Sequence, residues 1–250
     1  MERVEEERGW RVERACARAW PARETLDIAG WRVARSGGGT RRINSASPCD
    51  PAARIDAATL ATLVAAYDAH ALPTILRLPT LLRGADAALD RHGFAAAEGA
   101  THTIARDTLP DTAPAGVRLS RRPDAGWCAA RRALSIAAGA GAEDHVAPIA
   151  RLAAPAVFAA VEEGGAIRSL AFAAVDGGTA IVEAVATDPA WRGRGLAHRC
   201  VAALLHATAA LGARDAALQV QRDNVPARAL YRALGFDRHL YDYHYRRRAA

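Results

Sequence analysis

Lysine is absent from this chain: all 33 basic residues are arginine, set against 27 carboxylates for a formal charge of +6. The glycine-rich stretch Ser36–Thr40 therefore lacks the lysine, and also the spacing, of a nucleotide-binding loop. Coming after the alternation of Trp31, Arg32 and Val33, it reads as a hairpin turn. Aromatic residues make up 6% of the chain and are not interleaved with a basic stripe, so nucleic acid is not an expected partner. Cys16, Cys49, Cys128 and Cys200 form no CxxC pair and have no histidine at metal-binding spacing, which points to reduced thiols. The eight histidines contain neither an HExxH motif nor a triad-like grouping, and none is assigned to a metal or to nucleophilic catalysis. No apolar run approaches a membrane span, and Met1–Arg8 is charged where a signal peptide needs an apolar core. A cytoplasmic protein without membrane contact is the expectation.

What is present is a globular composition, 51% hydrophobic over 250 residues, enough for one large domain or two small ones with separate cores. Two are favoured. Leu109–Gly116 is poor in large apolar residues and rich in turn formers, and it divides the chain into residues 1–108 and 116–250. In the second part, Val117 to Leu119 reads as a short strand and Pro123 to Ala137 as a helix with proline in its first turn. Ala156 to Val161, Ala166 to Val175 and Thr179 to Thr187 are apolar strands joined by Glu162–Gly165 and Asp176–Gly178, an antiparallel meander. Gly195 to Leu211 shows one apolar helical face, Asp215 to Gln221 a strand, Asn224 to Leu234 a helix stopped by Gly235, and Phe236 to Arg246 a final strand or hairpin. The first part carries a fainter version of this order: Ala57 to His70 helical, Leu72 to Leu78 extended, Leu81 to Arg91 helical, then Gly93-Phe94 and Thr101-His102-Thr103. A diverged internal duplication accounts for it. The basic string Thr40–Ser45 reads as a solvated strand end, with an acidic acceptor or the domain partner as the alternative, and Arg246–Arg248 as a solvated tail.

The chemistry concentrates where the strand ending at Thr187 turns through Trp191-Arg192-Gly193-Arg194-Gly195 into a helix. Small residues allow close backbone approach, the first amides of the helix are free, and the helix dipole is positive there, a combination suited to a pyrophosphate. Asn224 and Tyr231 lie two helical turns apart on one face. With Arg192-x-x-Gly195-x-Ala197, Asn224, Tyr231 and Leu234-Gly235-Phe236 as a set, the segment from about Val117 to Arg248 resembles the GNAT superfamily of N-acetyltransferases. The whole layout resembles tandem GNAT proteins with a degenerate first half.

The resemblance implies an α/β (α+β) fold, a mixed, mainly antiparallel sheet flanked by helices, and acetyl-CoA as co-substrate without a metal. It also implies a pantetheine arm lying as an extra strand in the wedge between the fourth and fifth strands. Carried over residue by residue, Val185, Ala186 and Thr187 would meet the pantetheine. Arg192, Gly193, Arg194, Gly195, Leu196, Ala197 and His198 would meet the pyrophosphate, Asn224 the coenzyme, and Tyr231 the sulfur.

Thioester-to-amine transfer needs aligned reactants, a neutral amine and a proton for the leaving thiolate, and a phenol such as Tyr231 is a suitable donor. Gln219 stands where many such enzymes place a glutamate base, and an amide cannot do that work. Glu183, a carboxylate inside an apolar strand, is the substitute, with solvent relay also open. Three functions remain: an acetyltransferase acting on an amine of a small molecule or protein, a noncatalytic acetyl-CoA-binding regulator, and a nucleic-acid-binding protein, which only the net charge supports. The acceptor and the oligomeric state are left open by the sequence.

Overall fold

The computed structural model describes residues 2–38, 40–97, 100–137 and 146–248. The first part runs α1 (Glu2–Ala19), β1 (Glu24–Ile28), β2 (Trp31–Arg35), β3 (Ala46–Pro48), α2 (Ala57–Asp68), β4 (Ile75–Pro79), α3 (Ala85–Arg91), β5 (Phe94–Ala96) and β6 (Thr101–Arg106). The second runs β7 (Arg118–Ser120), α4 (Ala125–Ala137), α5 (Ala147–Ala150), β8 (Ala156–Glu163), β9 (Ala166–Asp176), β10 (Thr179–Thr187), α6 (Leu196–Thr208), β11 (Asp215–Gln221), α7 (Val225–Ala233) and β12 (Arg238–Arg248). The order β-α-β-α-β from β3 to β6, with short β5 as an addition, recurs from β10 to β12. In both copies the first two strands are parallel. The sheet is otherwise antiparallel and carries helices on its faces, the mixed α/β arrangement expected.

Local chemistry explains the second part well. The β8–β9 and β9–β10 hairpins close through Gly164-Gly165 and Gly177-Gly178, and all four glycines have positive φ. Two successive left-handed residues make the turn whose twist matches paired strands, and glycine adopts them without a Cβ clash. Helix α6 buries Leu196, Cys200, Val201, Leu204 and Leu205, the spacing of one helical stripe, and continues into a 3-10 turn at Ala209–Leu211. That stripe, with Tyr231 and Phe236, forms one core on one face of the sheet. A second core on the other face joins α1 to Trp127, Phe158, Phe172 and Tyr241. A third lies around Trp31, Leu63, Tyr67 and Leu76 in the first part.

The strands form one sheet in the order β1-β2-β3-β4-β12-β6-β11-β10-β9-β8-β7, with β5 also on β12. Each part gives its final strand away. β6 lies beside β11 in the second part, and β12 lies beside β4 in the first. β6 and β12 also pair with each other.

Two expectations need correction. Arg246–Arg248 is not a solvated tail: these residues end β12, opposite Phe94–Ala96, and Arg246 is buried against Asp90 and 3.4 Å from Asp86. The charged N-terminus opens a long helix that the sequence reading did not anticipate. α1 buries Trp10, Val12, Ala15, Cys16 and Ala19, and its Glu13 is a buried carboxylate. Glu13 accepts from Arg77 of β4 (3.1 Å to Nη2, with a second contact to Nη1) and from the Tyr241 hydroxyl of β12 at 2.6 Å. A buried charge needs such partners, and these three tie α1, β4 and β12 together.

Candidate active site

The site begins where a strand pairing stops. β10 and β11 are in parallel register only from Thr179–Val182 against Asp215–Leu218. Just beyond, the register of β10 with β9 shifts between Glu183 and Ala186, and Ala184 adopts a left-handed φ of 58°. A bulge bends its strand, and a left-handed alanine is a strained position of the kind kept at sites. β10 and β11 diverge from this point and leave a cleft of about 930 Å³.

The residues expected at a coenzyme line this cleft with few exceptions. Val185, Ala186 and Thr187 form one wall, and Asn224 and Tyr231 of the α7 segment face it. Arg192, Gly193, Gly195, Leu196, Ala197 and His198 close its end. Gly193 and Gly195 have φ of 75° and 72°, and a Cβ at either position would meet open space. The turn therefore presents bare backbone outward. The first helical hydrogen bond of α6 runs from the Arg199 amide to the Gly195 carbonyl, so the amides of Leu196, Ala197 and His198 precede it in the first turn.

Arg194 is the exception in this loop and does not line the cleft. Its guanidinium stacks on Trp191 at 4.5 Å, and Arg168 stacks on the same ring at 4.8 Å while pairing with Asp188 at 2.8 Å. Asp188 also accepts from the Ala190 amide, so the loop before Gly193 is held from several sides. Asn224 caps α7 by accepting from the Ala227 amide at 3.2 Å, which engages its carbonyl and leaves its NH₂ to the cleft. Tyr231 is buried against Phe236. Burial, with a smaller contribution from the charge of Glu183, raises its hydroxyl pKa well above the ordinary phenol value. It therefore stays protonated at neutral pH, as a proton donor must.

Glu183 does not line the cleft. It is 7% exposed, and its two oxygens accept from Nη1 and Nη2 of Arg42 at 2.7 and 2.8 Å. Arg42 Nη1 also donates to Gln219 Oε1 at 3.0 Å. A carboxylate engaged bidentately by a guanidinium has its lone pairs committed, which works against a free-base role. Arg42 sits 141 positions away in sequence, in the string that read as a solvated strand end with an acidic acceptor or the domain partner as the alternative, and its pairing with Glu183 follows the domain-partner alternative. Its only signal was two adjacent arginines before an apolar isoleucine.

Gln219 is the junction of the site. It borders the cleft and also two cavities that Arg42 lines as well, one of about 520 Å³ built largely from the first part of the chain and one of about 590 Å³ shared between the two parts. The larger is polar, with Arg41, Thr101, Arg222, Asp223, Tyr243 and Tyr245 on its walls. The first half thus adjoins the end of the cleft through Arg42 and through cavities that open on Gln219. The four cysteines are free thiols, and among the described residues no helix is long and apolar enough to cross a membrane.

A family model described as "Probable histone acetyltransferase Rv0428c C-terminal" matches residues 10–248. Among solved structures, a GCN5-related N-acetyltransferase from Kribbella flavida is similar over 99% of this chain and 96% of its own, with a TM-score of 0.70 and 19% identity. A tandem GNAT protein from the clavulanic acid biosynthesis pathway matches over 88% and 79%, with a TM-score of 0.60 and 16% identity. A GCN5-related N-acetyltransferase from Sphaerobacter thermophilus matches over 78% and 70%, with a TM-score of 0.54 and 19% identity. At these identities the structural likeness concerns the fold. None of the curated protein sequences matches this chain.

Proposed function

We propose, from the premise that this chain belongs to the Rv0428c C-terminal acetyltransferase family and is an acyltransferase of the GNAT type, that it moves an acetyl group from acetyl-CoA to an amine. The acceptor is an amine of a small molecule or protein. The observation that carries the reading is the joining of three features in one cleft: the split between β10 and β11, the bare glycine turn at the start of α6, and Tyr231. Backbone edges of Val185–Thr187 would hold an extended pantetheine arm, and the amides from Gly193 to His198 with Arg192 would hold the pyrophosphate. The Asn224 NH₂ would donate to the same ligand.

Alignment supplies much of the rate, because two bound reactants need no further loss of freedom to meet. When the amine nitrogen has attacked the thioester carbonyl and the C–S bond breaks, Tyr231 gives its hydroxyl proton to the departing thiolate and is reprotonated from solvent. The amine proton leaves through water in the polar cavity beside Gln219. Glu183 acts through Arg42, holding that guanidinium beside Gln219 in the wall of the polar cavity. Glu183 is in this sense a positioning residue.

Acetyl-CoA binding followed by calorimetry, together with thiol release against amino acids, polyamines, aminoglycosides and peptides, tests the proposal. We expect binding in the native protein, loss of it in Gly195→Glu, and turnover with at least one class of amine. Binding unchanged in Gly195→Glu would refute the placement of the pyrophosphate. Tight binding with no turnover on any amine would leave a coenzyme-binding regulator as the function.

A further inference from the structure

The register of the two exchanged strands assembles a group that no spacing in the sequence shows. His102 of β6 lies directly opposite Asp242 of β12, and directly opposed residues of an antiparallel pair project to the same face. His239, three positions before Asp242, would project to the other face of a regular strand. It does not, because β12 carries a one-residue bulge between His239 and Tyr241. The extra residue turns His239 back to the face of Asp242, the effect by which bulges re-aim side chains. His102 Nδ1 lies 2.7 Å and His239 Nε2 2.6 Å from the same Asp242 oxygen, and the two rings sit edge to face at 5.3 Å. The three ligand atoms lie within 4.8 Å of one another, and among the described residues this is the one such cluster of three.

We propose that His102, His239 and Asp242 bind a divalent first-row transition metal ion, with Zn²⁺ the best match. Two imidazole nitrogens and one carboxylate oxygen form a donor set for such ions, and Zn–N and Zn–O bonds of about 2.0–2.2 Å fit ligand atoms that spread slightly from their present hydrogen-bonded separations. Binding uses the neutral imidazoles with their protons on Nε2 of His102 and Nδ1 of His239. No redox step is involved. His102 is held mid-strand between β11 and β12, and the Asp242 backbone is fixed on both sides by Thr80, whose amide donates to the Asp242 carbonyl at 2.7 Å and whose hydroxyl accepts from the Asp242 amide at 3.1 Å. Two of the three ligands are thus positioned by backbone pairing, while His239, with 53% of its side chain exposed, leaves a way in from solvent. None of the three lines the acetyl-transfer cleft or the cavities beside it. The ion would bridge a strand of the first part to a strand of the second. We assign it to the seam of the exchange, separate from the chemistry of transfer.

Co²⁺ titration of the untagged, chelator-washed protein tests this, because its ligand-field spectrum reports the donor set. We expect one Co²⁺ per chain, absorption of a nitrogen and oxygen site without thiolate charge transfer, displacement by Zn²⁺, and a rise in unfolding temperature with Zn²⁺. His239→Ala, at an exposed position, should fold normally and lose affinity by at least roughly tenfold, the lower end of what even a ligand's outer partner is worth. Asp242→Asn, which keeps the shape and removes the charge, should do the same. Absence of binding, a thiolate spectrum, or native affinity in either variant would overturn the assignment.

Discussion

Replacing Arg42 with methionine keeps much of the stem but withdraws a guanidinium from two acceptors, leaving Glu183 a buried carboxylate with neither of its charge-assisted hydrogen bonds. Removing one partner of a buried ion pair costs about 3–5 kcal/mol. The Arg42 side chain is 21% exposed, so water reaches part of the gap and the lower end, about 3 kcal/mol, is expected. At roughly 2–4 °C per kcal/mol for a chain of this size, the midpoint of thermal unfolding should fall by about 6–12 °C. Substituting both partners, Arg42→Met with Glu183→Gln, should recover most of that loss, since no uncompensated charge remains. Urea unfolding of the four proteins closes a double-mutant cycle, and a coupling of about 2 kcal/mol or more is expected. A coupling below about 0.5 kcal/mol would mean that the pair behaves like a solvated surface contact, and the bridge between the halves would lose its energetic basis. Arg42→Met also asks about chemistry. Faster acetyl transfer in that variant would mean that Arg42 masks Glu183, and would return the carboxylate to the role of base.

Tyr231→Phe should lower single-turnover transfer by about 10²-fold to 10⁴-fold while leaving acetyl-CoA affinity nearly unchanged; an affinity collapse instead would make Tyr231 a packing residue. Because burial holds the Tyr231 hydroxyl protonated beyond the ordinary phenol range, the native enzyme should show no alkaline loss of turnover from this group below about pH 10, and a loss there that vanishes in Tyr231→Phe would contradict the shift. A fragment of residues 116–248 lacks α1 and β6, leaving β11 an open edge and the core around Phe158, Phe172 and Tyr241 uncovered. Light scattering should find it aggregated, and a soluble monomer with native acetyl-CoA affinity would show that the exchanged strand is dispensable.

Much of the second half was legible because its signals are local. Double-glycine turns fixed the meander, β11 begins and ends where its apolar run does, and the loop from Trp191 to Gly195 has the same form in the fold as in the sequence. The residues that line the cleft were named through the family resemblance, whose motifs lie within one loop and one helix. Features joining distant segments were not legible. Arg42 meets Glu183 across 141 positions, His102 meets Asp242 across 140, and nothing local in either strand reveals its opposite. Glu13 was hidden for a related reason: a charged residue in a charged helix reads as solvated until its partners on β4 and β12 are known. The basic end of the last strand, Arg246–Arg248, was misjudged likewise, because the aspartates of α3 that neutralise Arg246 lie far upstream.

The exchanged strands also order events during synthesis. β4 is complete roughly 160 residues before β12, its neighbour in the sheet, and at about 5–20 residues per second that interval lasts on the order of 10–30 s. Through this time the emerging first half holds Leu76, Arg77 and Leu78 on a strand with one side unpaired. Its own β6 cannot simply fill the gap, since that strand is destined for β11. A transient pairing of β6 with β4 would give a closed first half that must reopen before the native sheet forms. Neither half can therefore be handed over finished. The sheet, which runs through β12 between β4 and β6, can close only once that last strand has been made.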